Sequence, residues 1–272
     1  MKMELVSIPT PTTPLDGLYY EPEGRARGGV LLFHGNTMNF YVGMLRFLPP
    51  ALTKLGLACL AFNRRGHDVV STRNSRKAEG GAFQTTREAI EDNAIAARWM
   101  AQRGFAEPVV IGHSNGGMLG VKHVVDHPDT RALVLLSAGR GGATTVQSGG
   151  TEGLLAGDRF DEIHAHARKL VAEGRGKELI VMPGWWYVIT AESFIDRLTE
   201  VPDTIALAPQ VKCPILALRG DKESAERYPA EEFAAAAKAP AKAVVIPNCD
   251  HFYSGREDAV VEAVTSWLRS IE

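Results

Sequence analysis

The chain has 272 residues, 45% of them apolar and 23% charged, and its 30 basic and 32 acidic side chains leave a formal net charge of −2. This composition is ordinary for a globular protein and excludes a disordered, collagen-like or coiled-coil chain. Because the sequence contains no run of Lys and Arg, nucleic acid and membrane surfaces are not expected as partners. We expect a small-molecule substrate instead.

The first nine residues contain an acid and end in proline, so they lack the apolar core of a signal peptide. No apolar stretch approaches the ~20 residues that a membrane span requires. The cysteines Cys59, Cys213 and Cys249 are odd in number and lack Cys-x-x-Cys spacing, which argues against a disulfide framework and a zinc site. We therefore expect a cytoplasmic protein without metal or cofactor. The sequence leaves both a monomer and a homodimer open.

Short apolar runs alternate with helical patterns through most of the chain, which is typical of a parallel sheet covered by helices on both faces. The runs are apolar throughout, as expected for strands buried on both faces. The predicted strands are Gly29 to Phe33, Leu57 to Phe62, Pro108 to Ile111, Ala132 to Leu136, Ile215 to Leu218 and Ala243 to Ile246. The predicted fold class is therefore α/β, with a mostly parallel central sheet.

Three helices are predicted by a Thr-x-x-Glu capping box, by apolar residues at helical spacing and by a terminating proline. They run from Thr85 to about Gly104, from just after Ser114 to Asp126, and from Arg256 to Ile271.

The alternation breaks between Gly139 and about Pro209, where the sequence is glycine-rich and then helical. We interpret residues 139–209 as a helical cap inserted between two parts of one core, residues 1–138 and 210–272. The cap is expected over the carboxyl edge of the sheet, where ligands of open α/β sheets bind. An amphipathic stripe is predicted from Ile163, Ala167, Leu170 and Val171. The aromatic cluster Trp185, Trp186 and Tyr187 is expected either to line an apolar substrate pocket or to belong to the cap's own core.

A Gly-x-Ser-x-Gly sequence, Gly112 to Gly116, lies between a predicted strand and a predicted helix. A serine in such a tight turn holds its hydroxyl above the sheet, and small neighbours let the backbone close. The backbone amides of Asn115 and of Asn36, which follows the strand Gly29 to Phe33, are assigned as donors to an oxyanion.

A serine nucleophile needs a base, and His251 lies in the loop after the last predicted strand, at the same sheet edge as Ser114. A neutral imidazole can accept the serine proton at pH 7 and return it to a leaving group. Two acids that follow the penultimate strand, Asp221 and Glu223, compete to orient this imidazole. Both satisfy the chain order Ser, acid, His, so the residues themselves leave the choice open.

Taken together, these motifs resemble those of the α/β-hydrolase superfamily. The resemblance lies in His34-Gly35, Arg65-Gly66-His67, the Gly-x-Ser-x-Gly turn, Gly220-x-x-Glu223 and His251-Phe252. In that superfamily the acid usually sits three residues after a glycine, which implies Glu223 over Asp221, although aspartate is the usual residue there. The resemblance implies the α/β-hydrolase fold, in which helices flank a mostly parallel central sheet and a helical cap is inserted.

The leading functional hypothesis is a serine hydrolase that cleaves a small carboxylic ester through an acyl-enzyme. The same residues also suit thioester, lactone, amide or carbon–carbon bond hydrolysis, lyase chemistry and a perhydrolase reaction, and fold and triad do not choose among them. A different class is a ligand receptor that keeps these residues and turns over negligibly.

Overall fold

The computed structural model describes residues 1–72, 76–142, 156–184 and 188–271. Its central sheet is built from β1 (Lys2–Ile8), β2 (Leu15–Glu21), β3 (Gly28–Phe33), β4 (Leu57–Phe62), β7 (Val109–His113), β8 (Ala132–Leu136), β11 (Ile215–Gly220) and β12 (Ala241–Ile246). Two small antiparallel pairs lie outside it, β5 (Ser71–Thr72) with β6 (Ala78–Glu79) and β9 (Leu179–Val181) with β10 (Val188–Thr190).

The strands of the central sheet lie in the order β1-β2-β4-β3-β7-β8-β11-β12. From β4 to β12 every neighbouring pair is parallel, whereas β1 and β2 form an antiparallel edge. The predicted α/β class with a mostly parallel sheet is therefore confirmed. The six predicted strands all occur in it, and β1 and β2 were missed. Strand β1 buries only Val6 and Ile8, so it lacks the continuous apolar run that marks a central strand.

The helices are α1 (Met44–Phe47), α2 (Pro49–Lys54), α3 (Thr86–Gln102), α4 (Asn115–Asp126), α5 (Phe160–Ala172), α6 (Ala191–Thr199), α7 (Thr204–Leu207), α8 (Ala230–Ala236) and α9 (Glu257–Ser270). The three predicted helices correspond to α3, α4 and α9. The predicted capping box also forms, because the Thr85 side chain accepts from the Glu88 amide and the Glu88 side chain accepts from the Thr85 amide.

Two hydrophobic cores cover the two faces of the sheet. One includes Ile95 of α3, Val121 of α4 and Phe233 of α8. The other includes Leu52 of α2 and Val264 of α9. Since both faces are covered by apolar contacts, the carboxyl ends of the strands are where polar side chains can meet a ligand.

The described part of residues 156–199 packs around a separate small core of α5, α6 and the β9–β10 pair, with Phe194 fully buried in it. The hairpin was not predicted, because its strands have only three residues each. The predicted stripe was wrong for Val171, which is 43% exposed, because one step along a helix rotates it about 100° away from the buried Leu170. The segment contacts the rest of the chain at Thr86, whose amide and hydroxyl donate to Asp196 Oδ2 at 2.7 and 2.6 Å.

Among the residues described, no helix is both long enough and apolar enough to cross a bilayer. The three cysteines are buried as free thiols.

Candidate active site

Ser114 occupies the tight turn between β7 and α4. Its φ of 54° and ψ of −120° lie in a region that residues with a side chain rarely adopt. Strain of this kind costs about 1–3 kcal/mol and persists only where the surroundings enforce it. Here the amide of Ser114 donates to the carbonyl of Leu136, 2.9 Å away on β8, and helix α4 starts at the next residue.

The glycines of the turn allow its backbone to pack against β3. A Cβ atom at Gly116 would lie 2.1 Å from the carbonyl oxygen of Phe33, and one at Gly112 would lie 2.3 Å from the carbonyl oxygen of Gly116. No side chain fits at either distance, so glycine is required at both positions. The predicted strand-to-helix turn around Ser114 is therefore present, with the glycines in the positions that the motif assigns to them.

A continuous chain of hydrogen bonds links Ser114, His251 and Glu223. The Oγ atom of Ser114 is 3.1 Å from Nε2 of His251, and Nδ1 of His251 is 2.6 Å from Oε1 of Glu223. Because a carboxylate only accepts, Nδ1 carries the proton and Nε2 offers its lone pair to the serine hydroxyl. The side chains of His251 and Glu223 are 17% and 3% exposed, so the carboxylate is shielded while the imidazole reaches the surface of the site.

Sheet topology brings these three residues together although they are far apart in the chain. Ser114, Glu223 and His251 follow β7, β11 and β12, and the carboxyl ends of these parallel strands lie at one edge. The loops after β11 and β12 are also in direct contact, since a Cβ atom at Gly220 would lie 2.2 Å from the carbonyl oxygen of Cys249.

Asp221, the competing acid, has a different set of partners. Its Oδ1 atom accepts from the amide of Cys249 at 3.0 Å. Hydrogen bonds from the backbone amides of Asn248 and Cys249 hold the pKa of Asp221 below its usual value. Its carboxylate thus fastens the loop that carries His251, whereas the Glu223 carboxylate contacts the imidazole itself.

Two aromatic rings, which the sequence analysis did not select, pack against the imidazole of His251. The ring centroids of Tyr228 and His113 lie 4.5 and 4.8 Å from that of His251. Nε2 of His113 donates to the carbonyl of His251 at 2.8 Å. Burial, and after it the neighbouring His251, lower the pKa of His113 to about 3, so His113 stays neutral and does not compete as a base. His113 is the first of the two variable residues of the Gly-x-Ser-x-Gly motif, and nothing in its spacing indicates this contact.

The two residues assigned as oxyanion donors start from different elements. Asn115 is the first residue of α4, and the first amides of a helix have no acceptor within the helix and carry the positive end of its dipole. Asn36 belongs to the loop after β3. That loop passes close to the nucleophile, because a Cβ atom at the preceding Gly35 would lie 3.2 Å from Cβ of Ser114.

His34 fixes the start of this loop. It is fully buried, its Nε2 accepts from the amide of Arg64 at 3.1 Å, and its Nδ1 donates to the carbonyl of Gly35 at 2.7 Å. Burial, reinforced by the charge of Arg64, lowers the pKa of His34 well below 6.5, so the ring is a neutral hydrogen-bonding group. The neighbouring Arg65 forms an ion pair with Asp92, with Nε and Oδ1 2.7 Å apart.

The aromatic cluster Trp185, Trp186 and Tyr187 lies outside the described residues. Within the described ranges, no group of three or more His, Cys, Asp or Glu side chains is arranged to hold a metal ion. His164 was weighed as a metal ligand with His166, and its ring stacks on Phe160, with ring centroids 5.4 Å apart.

A family model described as the alpha/beta hydrolase family matches residues 30–263, and the chain therefore belongs to that family. It is similar in structure to Est1E of Butyrivibrio proteoclasticus with bound ferulic acid, at 20% identity and a TM-score of 0.73, over 97% of this chain and 98% of that one. It is also similar to a thermostable carboxyl esterase of Bacillus coagulans, at 15% identity and a TM-score of 0.73, over 100% of this chain and 99% of that one.

A third similar structure is a dienelactone hydrolase of Anabaena variabilis, at 17% identity and a TM-score of 0.59, over 99% of this chain and 97% of that one. No curated protein matches the chain. These structural likenesses confirm the α/β-hydrolase fold that the motifs implied.

Proposed function

We propose that this protein is a serine hydrolase that cleaves a small carboxylic ester through an acyl-enzyme on Ser114. The observation that carries the proposal is the hydrogen-bonded chain from Ser114 through His251 to Glu223, with distances of 3.1 and 2.6 Å. A serine hydroxyl is activated when a base lies within hydrogen-bonding reach of it and a third group orients that base.

In the first step, Oγ of Ser114 attacks the ester carbonyl carbon while its proton passes to Nε2 of His251. The carbonyl π electrons move to the oxygen, and the amides of Asn36 and Asn115 stabilise that oxyanion. Each such donor is worth about 2.7–4 kcal/mol of barrier. Glu223 accepts the Nδ1 proton in a hydrogen bond and stabilises the imidazolium while remaining ionised.

In the second step, the carbon–oxygen bond to the alcohol breaks, and His251 gives its Nε2 proton to the leaving oxygen. Water then attacks the acyl-enzyme with the same histidine as base, and Ser114 leaves with its proton restored. The balanced reaction consumes one ester and one water and yields one acid and one alcohol, so the proposal requires no cofactor.

We also propose that residues 139–209 form a cap that shapes the acyl pocket. Support comes from the small core of residues 156–199, which is separate from the two cores of the sheet. The similar structure of Est1E holds ferulic acid, an aromatic acid, which favours an apolar pocket for an aryl or aliphatic acyl group.

Hydrolysis of p-nitrophenyl esters of graded acyl length tests the proposal. The wild type should turn over at least the short esters, and Ser114→Ala should lose activity by roughly 10⁴-fold or more, with a nearly unchanged melting temperature. Ser266→Ala is the matched control, because it removes a serine hydroxyl from the exposed side of α9. Hydrolysis by Ser114→Ala at the wild-type rate would eliminate the mechanism, and absence of turnover for every ester would favour the receptor class.

A further inference from the structure

A serine and a tyrosine lie behind the carboxylate of Glu223, on the side away from His251. Oγ of Ser137 donates to Oε2 of Glu223 at 2.6 Å and lies 2.6 Å from the hydroxyl of Tyr253. Serine has one hydroxyl proton, and Ser137 donates it in the hydrogen bond to the Glu223 carboxylate. The Tyr253 hydroxyl is therefore the donor in the hydrogen bond between Tyr253 and Ser137. The amide of Gly220 also donates to Oε2, at 2.6 Å. Oε1 is thereby left for Nδ1 of His251.

The position of Ser137 follows from the sheet. It comes directly after β8, which lies between β7 and β11, so four neighbouring strands contribute one polar residue each to this edge: Ser114, Ser137, Glu223 and His251. The amide of Ser137 donates to the carbonyl of Leu218 on β11 at 2.8 Å, which ties it to the strand that precedes Glu223.

Both residues are held in unusual backbone conformations. Ser137 has a φ of 45° and Tyr253 a φ of 61°. Their relative exposures are 0% and 1%. Positive φ in a residue with a side chain is costly and clusters at functional sites. Burial, and after it the charge of Glu223, raise the pKa of the Tyr253 phenol well above 10, so it remains a donor.

We propose that Ser137, and Tyr253 acting through it, are positioning residues that hold the Glu223 carboxylate against His251. The inference rests on the proposed function. Glutamate has one more rotatable bond than aspartate, so its carboxylate needs fixing at the second oxygen if the first is to stay on the imidazole. The Ser137 hydroxyl and the Gly220 amide supply that fixing, and Tyr253 orients the Ser137 hydroxyl.

Steady-state kinetics on the best p-nitrophenyl ester, with and without the hydroxyls, test the inference. Ser137→Ala should lower kcat by about 10- to 100-fold with KM within twofold, because the orientation of the base matters after the substrate is bound. Tyr253→Phe should lower kcat by about 3- to 10-fold. The double variant should be no slower than Ser137→Ala, since residues that act as one chain are not additive.

The pH profile separates positioning from a general loss of structure. A misplaced Glu223 stabilises the imidazolium less, so the acid limb of kcat/KM in Ser137→Ala should move to lower pH. In a Glu223→Gln background, adding Ser137→Ala should change kcat less than twofold.

Two further variants serve as controls. Ser137→Gly accepts a positive φ without strain and should lose as much kcat as Ser137→Ala, which separates the hydroxyl from the backbone. Thr130→Ala removes a buried hydroxyl that bonds to His127 at the opposite end of β8 and should keep wild-type kinetics.

The inference would be overturned if both Ser137→Ala and Ser137→Gly kept the wild-type kcat and the wild-type acid limb while Glu223→Gln lost much of its activity. The proposed function would stand in that case. If Ser114→Ala and Glu223→Gln hydrolyse like the wild type, the proposed function itself fails. If Ser137→Ala does not fold, Ser137→Gly and Tyr253→Phe decide by the same readings.

Discussion

The carboxyl edge of the sheet and the segment of residues 156–199 are stabilised in different ways. At the edge, polar side chains lie at the carboxyl ends of the strands, and hydrogen bonds hold them in place. The Glu223 carboxylate, for example, is hydrogen-bonded to His251, Ser137 and Gly220. The segment has a small apolar core around Phe194 and carries exposed ion pairs, such as Arg175 with Glu178. Exposed pairs of this kind contribute little to stability, because water and salt screen them.

Under the proposed function, this difference separates the residues that carry the chemistry from the segment that shapes the acyl pocket. Ser114, Glu223 and His251 follow strands of a sheet that two large cores cover, so their hydrogen bonds depend on the register of those strands. The segment can change its surface without moving those groups. We therefore expect substitutions at the edge to act on kcat and substitutions in the segment to act on local stability and on substrate preference.

Among the residues that orient the imidazole of His251, Glu223 should give the largest effect. Glu223→Gln should lower kcat by roughly 10³-fold or more, because an amide no longer stabilises the imidazolium or fixes its tautomer. Asp221→Asn should cost only a few-fold, because the amide oxygen can still accept from Cys249. The two variants have the same change in charge, so each controls for the other in steady-state assays. Equal losses would remove the distinction between the two acids.

Phe194→Ala should damage the segment and spare the edge. Truncating a fully buried phenylalanine costs about 3–5 kcal/mol, and here that cost falls on the core of residues 156–199. Hydrogen exchange should show lost protection in α5 and α6 with α4 unchanged, while kcat on p-nitrophenyl acetate stays within a few-fold. The exposed Val171→Ala is the control for this segment. Equal loss of protection in α4 would show that the two regions unfold together.

The meeting of Ser114 and His251 at one sheet edge could be predicted because the sequence signals of both residues are local. Ser114 is framed by glycines, a strand and a helix, and His251 follows the last strand, so the parallel order alone places both at one edge. The choice between Asp221 and Glu223 is not local. The residues are two apart in one loop, and what separates them is the amide of Cys249, which comes from another loop and captures Asp221.

The contacts of Ser137, Tyr253 and His113 are not local either, so the sequence did not predict them. Each contacts the site through an atom whose direction depends on a positive φ or on packing across strands. The aromatic pocket proposed from Trp185, Trp186 and Tyr187 stays a prediction.

The smallest effect concerns the protonation of two buried histidines, His113 and His123. Burial is the leading cause that lowers the pKa of His113 and of His123 to about 3. The unfolded chain, with a histidine pKa near 6.5, therefore takes up protons first as the pH falls. The stability that comes from keeping each ring neutral is complete above about pH 6.5 and is lost towards pH 3, by about 2 kcal/mol per histidine at pH 5.

His123→Phe tests this linkage away from the edge. His123 lies on α4, where its ring stacks on that of His127 and meets the ring of Phe33 edge to face. Urea unfolding of the wild type should show lower stability at pH 5 than at pH 7, and the variant should lose about 2 kcal/mol less over that interval. Equal losses of unfolding free energy in the wild type and the variant would show that His123 has the same pKa in the folded and the unfolded chain.

Peptide mapping after reaction with a fluorophosphonate tests most directly that Ser114 is activated by His251. The expected result is a single phosphonyl adduct on the tryptic peptide that contains Ser114, formed rapidly by the wild type and slowed by orders of magnitude in His251→Gln. An adduct on another residue, or equally fast labelling of Ser114 without the imidazole, would contradict the central claim.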